Sequence, residues 1–195
     1  MKKILLLGDS IRMGYDTPVK EKLSGIAQVF FPEDNCRFAQ YTLCNLHHWA
    51  NEIGCVNEID LIHWNNGLWD VGHYFNCECL TPPDTYGMTL RKIYKVLGIL
   101  FPKAKVIFAL STAVIENRQN NPDYNTVTCF RHNKEIMEYN SIAGRITNEL
   151  NAELNDLYKV SVILSEDYYV DGVHFTGKGY DILADAVAKK CESCL

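Results

Sequence analysis

Two short stretches near opposite ends of the chain carry residue types that can form a covalent bond and move a proton. The first is Gly8-Asp9-Ser10-Ile11, directly after the apolar run Ile4-Leu5-Leu6-Leu7 and followed by Gly14. Read as a strand running into a turn, it puts a hydroxyl at the carboxyl end of the first strand, where open α/β sheets keep their binding crevices. A glycine ahead of the turn lets the backbone bend sharply, so the Ser10 N–H can point at the same substrate atom that its Oγ attacks. Taken locally the signal is weak, because Gly-Asp-Ser recurs in ordinary turns.

The second stretch is Asp171-Gly172-Val173-His174-Phe175-Thr176. An aspartate three residues ahead of a histidine can fold its carboxylate onto Nδ1 and leave Nε2 free to take a proton, the orienting role of a third group in nucleophilic catalysis. Histidine suits the transfer because its ordinary pKa, about 6.5, lies close to working pH. The plainer alternative makes Asp171 a helix cap and His174 a core filler. Both readings stand on local grounds.

The elements that must position these residues alternate between β-rich apolar runs and helix-period stretches, the pattern of a parallel sheet covered on both faces. Strands are expected at Lys3 to Leu7, Ala27 to Phe31, Ile59 to Asn65 and Lys105 to Leu110, with a fifth near Ala152 to Leu154. Helices are expected at Val19 to Ser24, Tyr41 to Ala50, Asp84 to Phe101, Arg131 to Leu150 and Thr176 to Lys190, the last with Thr176 as N-cap. Val71 to Pro83 reads as a loop, and the polar Asn117 to Asn125 as a surface loop. Without a linker or internal repeat, residues 1–195 are expected to form one domain.

With both stretches in hand, the chain resembles the SGNH (GDSL-like) hydrolases. Leu-Leu-Gly-Asp-Ser-Ile looks like that family's first sequence block and Asp-Gly-Val-His-Phe-Thr-x-x-Gly-Tyr like its last, each at its expected end of the chain. The resemblance implies a three-layer α/β/α sandwich around a five-stranded parallel sheet, flavodoxin-like in layout. It also implies a catalytic triad in which Ser10 is acylated, His174 is general base and then general acid, and Asp171 orients the imidazole.

Between those ends the match loosens. The family has a glycine after the second strand whose N–H helps bind the oxyanion; here Pro32-Glu33-Asp34-Asn35-Cys36-Arg37 puts Asn35 in that place, and asparagine tolerates positive φ better than most residues. The family's third block resembles Gly-x-Asn-Asp, whereas this chain reads Asn65-Asn66-Gly67-Leu68-Trp69-Asp70, with Trp69 where the oxyanion asparagine belongs. Losing one such donor typically costs about 100 to 1,000-fold in turnover. Three replacements are open: the Asn66 amide, the Asn65 amide and the Trp69 indole N–H. Asn66 is the favoured one, because an Asn-Asn pair ending an apolar strand is costly unless its amides find partners. The expected oxyanion set is therefore Ser10, Asn35 and Asn66, with Gly67, Trp69 and Arg37 lining the substrate crevice.

Arg12 and Arg37 could meet an anionic or polyhydroxylated substrate, or pair with Asp34 or Asp70 across the surface. His73 and Tyr74 could line the pocket, while His47, His48 and His63 read as structural. The formal charge of -5, from 24 acidic and 19 basic residues without a like-charged block, argues against a nucleic-acid partner. No stretch approaches the length of a membrane span or a signal-peptide core, so the chain as given reads as soluble and cytoplasmic. Eight cysteines in a reducing compartment are expected as thiols, and Cys77-Glu78-Cys79 and Cys191-Glu192-Ser193-Cys194 are too few pairs for a structural zinc. No phosphate loop, dinucleotide fingerprint or Gly-x-Ser-x-Gly elbow is present.

The expected function is a serine esterase acting on short-chain acyl esters, acetyl above all, on a small molecule or carbohydrate, with no metal or other cofactor. The alternative is a non-catalytic carbohydrate- or ligand-binding module whose oxyanion hole has decayed. A flavodoxin-like nucleotide or metal domain is a third reading.

Overall fold

The computed structural model describes residues 1–74, 77–119 and 129–195. In chain order its elements are β1 (Lys2–Leu7), α1 (Ser10–Lys22), β2 (Ala27–Phe30), α2 (Ala39–Ile53), β3 (Leu61–Trp64), β4 (His73–Tyr74), α3 (Pro83–Leu100), β5 (Lys105–Ala109), β6 (Cys129–Phe130), α4 (Asn133–Glu149), β7 (Glu153–Asn155), α5 (Leu157–Ser161) and α6 (Gly177–Cys194). Five strands form one parallel sheet in the order β2-β1-β3-β5-β7. From β1 the chain moves first to one side and then, through β3, to the other, so the topological switch lies between β1 and β3. That is where such sheets open a crevice beyond their carboxyl ends.

The central strands are apolar on both faces, as a sheet covered twice must be. Ile4, Leu5, Leu6 and Leu7 of β1 are buried, as are all four residues of β3. Trp64 of β3 meets Phe108 of β5 edge-on at 4.9 Å and Tyr94 of α3 at 5.1 Å between ring centroids. These aromatic contacts bind the sheet to the helices on one face.

The sheet matches the expected five parallel strands, and four expected helices lie within a few residues of α2, α3, α4 and α6. Thr176 caps α6 as expected, accepting from the Gly179 N–H at 3.4 Å. The first helix differs: instead of Val19 to Ser24 it starts at Ser10 itself. Gly14 and Pro18, both poor helix residues, disguise it in the sequence. Gly14 is there for closeness, since a Cβ would stand 2.1 Å from the Tyr180 ring of α6. Pro18 lacks the N–H that would reach the Gly14 carbonyl.

The expected loop from Val71 to Pro83 contains β4, which pairs antiparallel with β6, a ribbon outside the main sheet. Of the expected loop from Asn117 to Asn125, residues 120–125 lie outside the described residues. Among the described residues no helix is long and apolar enough to cross a membrane. None of the eight cysteines is in a disulfide.

His63 of β3 is a structural histidine with half its polar capacity met. The Asn155 amide lies 3.1 Å from its Nε2, while Nδ1 is buried without a partner. Burial pushes the His63 pKa down to about 3. The unfolded chain takes up this proton near pH 6.5, so stability is complete above that value and falls with pH towards 3, by at most about 1.4 kcal/mol per unit. His63→Gln, which keeps an acceptor for Asn155, should flatten the loss of denaturation midpoint between pH 6.5 and 4.5. An unchanged slope would place the acid sensitivity elsewhere.

Candidate active site

Ser10 is the first residue of α1, and its N–H, like every N–H in a first helical turn, has no carbonyl behind it to bond. The Ser10 hydroxyl lies 2.9 Å from His174 Nε2, across a sequence separation of 164 residues. On the other side of the ring, His174 Nδ1 is 2.8 Å from Asp171 Oδ2. A carboxylate can only accept from the ring, so the tautomer carries its proton on Nδ1 and presents the Nε2 lone pair to the Ser10 O–H. The expected triad is thus assembled in space.

Its geometry rests on a tight return of the chain. Val170 N–H donates to the His174 carbonyl at 2.9 Å, Thr176 N–H to the Tyr168 carbonyl at 2.8 Å, and the rings of Tyr169 and Phe175 face each other at 4.3 Å. Inside this turn Asp171 Oδ1 accepts from the Val173 and His174 N–H groups at 2.6 and 2.7 Å. Burial pushes the Asp171 carboxyl up, but the His174 ring together with those two N–H groups outweighs it, and the pKa settles at about 2. Asp171 therefore stays ionised and ready to stabilise an imidazolium. The triad is open to solvent, with the His174 and Asp171 side chains 40% and 51% exposed.

Behind Ser10 the turn is wedged from three directions. Asp9 caps α1 by accepting from the Ile11 N–H at 3.0 Å. Asn65 packs its Oδ1 where a Cβ on Gly8 would come within 1.9 Å, so Gly8 admits the amide. Arg12 is buried, bonding the Asp16 carboxylate at 2.8 Å and the carbonyls of Pro32 and Asp34 at 3.0 and 2.5 Å. This corrects the expectation for Arg12, which neither faces substrate nor pairs across the surface. It fastens α1 to the loop after β2.

Solved structures share this fold over nearly their full length. A lipase/acylhydrolase from Enterococcus faecalis is 20% identical, with a TM-score of 0.75 over 99% of this chain and 96% of that one. The acetyl xylan esterase AlAXEase is 17% identical, with a TM-score of 0.73 over 96% of this chain and 98% of its own. An aryl esterase from M. smegmatis is 18% identical, with a TM-score of 0.73 over 100% of both chains. The fold is that of the SGNH hydrolases. No family sequence model matches the chain, and no curated relative matches it by sequence.

On this SGNH fold the oxyanion candidates fall differently from expectation. Positive φ after β2 belongs to Arg37 (φ 48°), not to Asn35. The Asn35 side chain instead accepts from the Arg37 N–H at 2.9 Å, and the Cys36 N–H goes to the Gly8 carbonyl at 3.0 Å. Asn66 is wholly buried: its Oδ1 accepts from the Trp64 indole at 2.6 Å and its Nδ2 donates to the Arg37 carbonyl at 2.8 Å. The Asn66 amide is therefore committed to holding the end of β3 against the loop after β2, a correction to its expected place in the crevice. Asn65 is buried behind the nucleophile turn.

The expected substrate-lining residues divide as well. Gly67 is buried at φ 148°, and a Cβ there would meet Ser111 Oγ at 2.2 Å, so it serves close packing under the crevice. Trp69 is half-buried, with its ring 6.4 Å from that of Tyr74. Arg37 is exposed and lays its guanidinium over the Tyr41 ring at 4.7 Å.

Two positioning residues escaped the sequence reading. Arg131, buried, donates from Nε to the Leu68 carbonyl. Its backbone is held on both sides by Gln119, at 2.9 Å through Oε1 and 2.8 Å through Nε2. Gln119 in turn lies against Gly172 of the triad turn, whose carbonyl accepts from the Ile115 N–H at 2.8 Å. The wall after β3 and the turn carrying His174 are thereby joined. No local pattern announces such a tie, which depends on segments far apart in the chain.

Asp70, expected as a possible surface partner, is buried and receives the Ala39 N–H at 3.0 and 3.2 Å on its two oxygens, capping α2 from another element. Burial raises its pKa to about 7, against the bonds from Ala39 and Thr81. The folded state thus keeps a proton that the unfolded chain releases near pH 4. Stability from this group is complete below that value and is lost as pH rises through 7, by at most about 1.4 kcal/mol per unit. Asp70→Asn should remove this alkaline slope from thermal denaturation between pH 5 and 8; a slope equal to the wild type's would mean that Asp70 ionises freely.

Proposed function

We propose that the chain is a serine ester hydrolase, removing short acyl groups, acetyl above all, from carbohydrate. The observation that carries this reading is the continuous Ser10–His174–Asp171 relay. Ser10 Oγ attacks the ester carbonyl as His174 Nε2 takes its proton. The imidazolium so formed, held by ionised Asp171, gives the proton to the departing alcohol. Water then repeats the sequence in reverse and releases the acid. Nothing in this scheme calls for a metal.

The tetrahedral oxyanion needs donors. The Ser10 N–H stands at the open end of α1, and the Asn35 N–H has no acceptor among the described residues. With the amide of Asn66 engaged elsewhere, the Trp69 indole N–H is the third donor in this proposal, supported by its place in the family's third block. Openness of the triad suits an alcohol too large to be enclosed. The Trp69 and Tyr74 rings offer the flat apolar faces on which sugars stack. Among the solved neighbours, an acetyl xylan esterase and a carbohydrate acetylesterase from Sinorhizobium meliloti make the same substrate class the first to test.

Trp69 also motivates the rival reading, a ligand-binding module with a spent oxyanion hole. A fluorophosphonate probe followed by intact-mass measurement separates the two. The wild type should gain one adduct and Ser10→Ala none, whereas an unlabelled wild type would favour the binder. With p-nitrophenyl acetate, Asp171→Asn should lower kcat by about 10,000-fold. Trp69→Phe should lower it by about 100-fold if the indole donates to the oxyanion, and an unaltered kcat would remove Trp69 from that role. Release of acetate from a panel of acetylated sugars tests the substrate class directly.

A further inference from the structure

A second cluster of reactive side chains sits on the β4–β6 ribbon, apart from the triad. His73 Nε2 lies 2.8 Å from Glu135 Oε2 and 3.4 Å from Cys79 Sγ, and the three atoms all fall within 4.8 Å of one another. They come from different elements: His73 from β4, Cys79 from the return segment that bridges back to His73, and Glu135 from the first turn of α4. All three are partly buried, with His73 and Glu135 at 22% and 30% side-chain exposure, so the cluster is shaped by the fold yet reachable from solvent.

The ring orientation makes this more than a chance grouping. His73 Nδ1 is 2.8 Å from the Cys77 carbonyl, which can only accept, so Nδ1 carries the proton. The neutral ring then turns a lone pair from Nε2 towards a carboxylate oxygen at hydrogen-bond distance. Two acceptors cannot share that gap unless something positive lies between them, either a second proton on the imidazole or a metal ion. A backbone carbonyl that sets the tautomer is also the usual outer support of a metal-bound histidine.

We infer that His73 Nε2, Cys79 Sγ and Glu135 Oε2 form a binding site for a zinc-class divalent ion, with water completing a tetrahedron. Zinc bonds of about 2.0 to 2.3 Å set ligand atoms roughly 3.4 Å (N to O) and 3.6 Å (N to S) apart in a tetrahedron. The observed 2.8 and 3.4 Å need only a small opening, and the third pair, sulfur to oxygen, lies within 4.8 Å. Thiolate with imidazole selects zinc over magnesium or calcium, which prefer oxygen ligands. On binding, the Cys79 thiol gives its proton to solvent and the ion accepts the sulfur lone pair; no oxidant or reductant takes part. The ion would tie α4 to the strand carrying Tyr74, whose ring neighbours Trp69, and so stiffen one wall of the crevice.

The sequence reading passed over this site because Cys77-Glu78-Cys79 looks like a lone pair of cysteines, while the remaining ligands sit 6 and 56 residues away from Cys79. The test uses the full chain, stripped with chelator and dialysed against zinc, with bound metal read by elemental analysis. One zinc per chain is expected, together with a raised Tm. Cobalt should give the visible bands of a tetrahedral ion and a thiolate charge-transfer band. Cys79→Ser should abolish the charge-transfer band, and His73→Gln should weaken zinc binding at least 10-fold, whereas Cys44→Ser, at an exposed cysteine elsewhere, should change neither. Ser10→Ala should bind zinc as the wild type does, which keeps the result independent of hydrolysis. Failure of the wild type to retain zinc, a cobalt spectrum without thiolate character, or binding insensitive to both His73 and Cys79 would overturn the site. The cluster would then be an imidazolium–carboxylate pair.

Discussion

A 2.9 Å contact between the Ser10 hydroxyl and His174 Nε2 sets the demands that the rest of the fold meets. Displacing either partner by about 1 Å would cost much of the rate such a relay supplies. One side of the contact is fixed by β1, buried in the middle of the sheet, and by the helix that begins at Ser10 after the two-residue turn Gly8-Asp9. The other is fixed by the turn ahead of α6. The two helices then pack against each other, with Tyr180 seated on Gly14 and followed by the rings of Phe175 and Tyr169. The aromatic stack therefore connects the floor of the nucleophile's helix to the turn that aims the imidazole.

Carboxylates around this contact show how environment divides one functional group into several roles. Asp171 is half exposed and receives a ring N–H and two backbone N–H groups, so its charge is favoured and it can balance an imidazolium. Asp70 is buried and holds the start of α2, where desolvation opposes the charge more strongly than its hydrogen bonds support it. Asp9 is buried too, pushed upward by desolvation while the Ile11 N–H and the Asn65 amide pull against it. Of these three carboxylates, only that of Asp171, which is bonded to the His174 ring, faces water.

Beyond the end of β3 the crevice wall is held by polar ties rather than by the sheet. Arg131 grips the Leu68 carbonyl, Gln119 grips Arg131, and Asn66 joins the same strand end to the loop after β2. A polar group buried in such a place is costly unless bonded, so each tie tends to specify one arrangement of the wall. The His73, Cys79 and Glu135 cluster extends the pattern to the outer ribbon. Trp69 occupies the middle of this wall as a half-buried aromatic among fixed neighbours.

Much of this was legible from residues in order. Strands β1 and β5 announce themselves as short apolar runs stopped by turn residues, α3, α4 and α6 by their period, and α6 by Thr176 ahead of it. Helix α1 was hidden because Gly14 and Pro18 argue locally against a helix that packing on Tyr180 rewards. Asn35 looked like the residue to take positive φ, yet Arg37 takes it while the Asn35 side chain holds the Arg37 N–H. Asn66 looked free for the crevice until Trp64 and Arg37 were seen to occupy its amide. By itself, then, the sequence determined the layered sheet and the two stretches whose hydroxyl, imidazole and carboxylate meet, because periodicity and functional-group chemistry are local properties. Only the tertiary structure decided which amides remain available, which arginines are buried and which side chains meet on the outer ribbon. Those outcomes turn on hydrogen-bond competition between segments that the chain brings together only on folding.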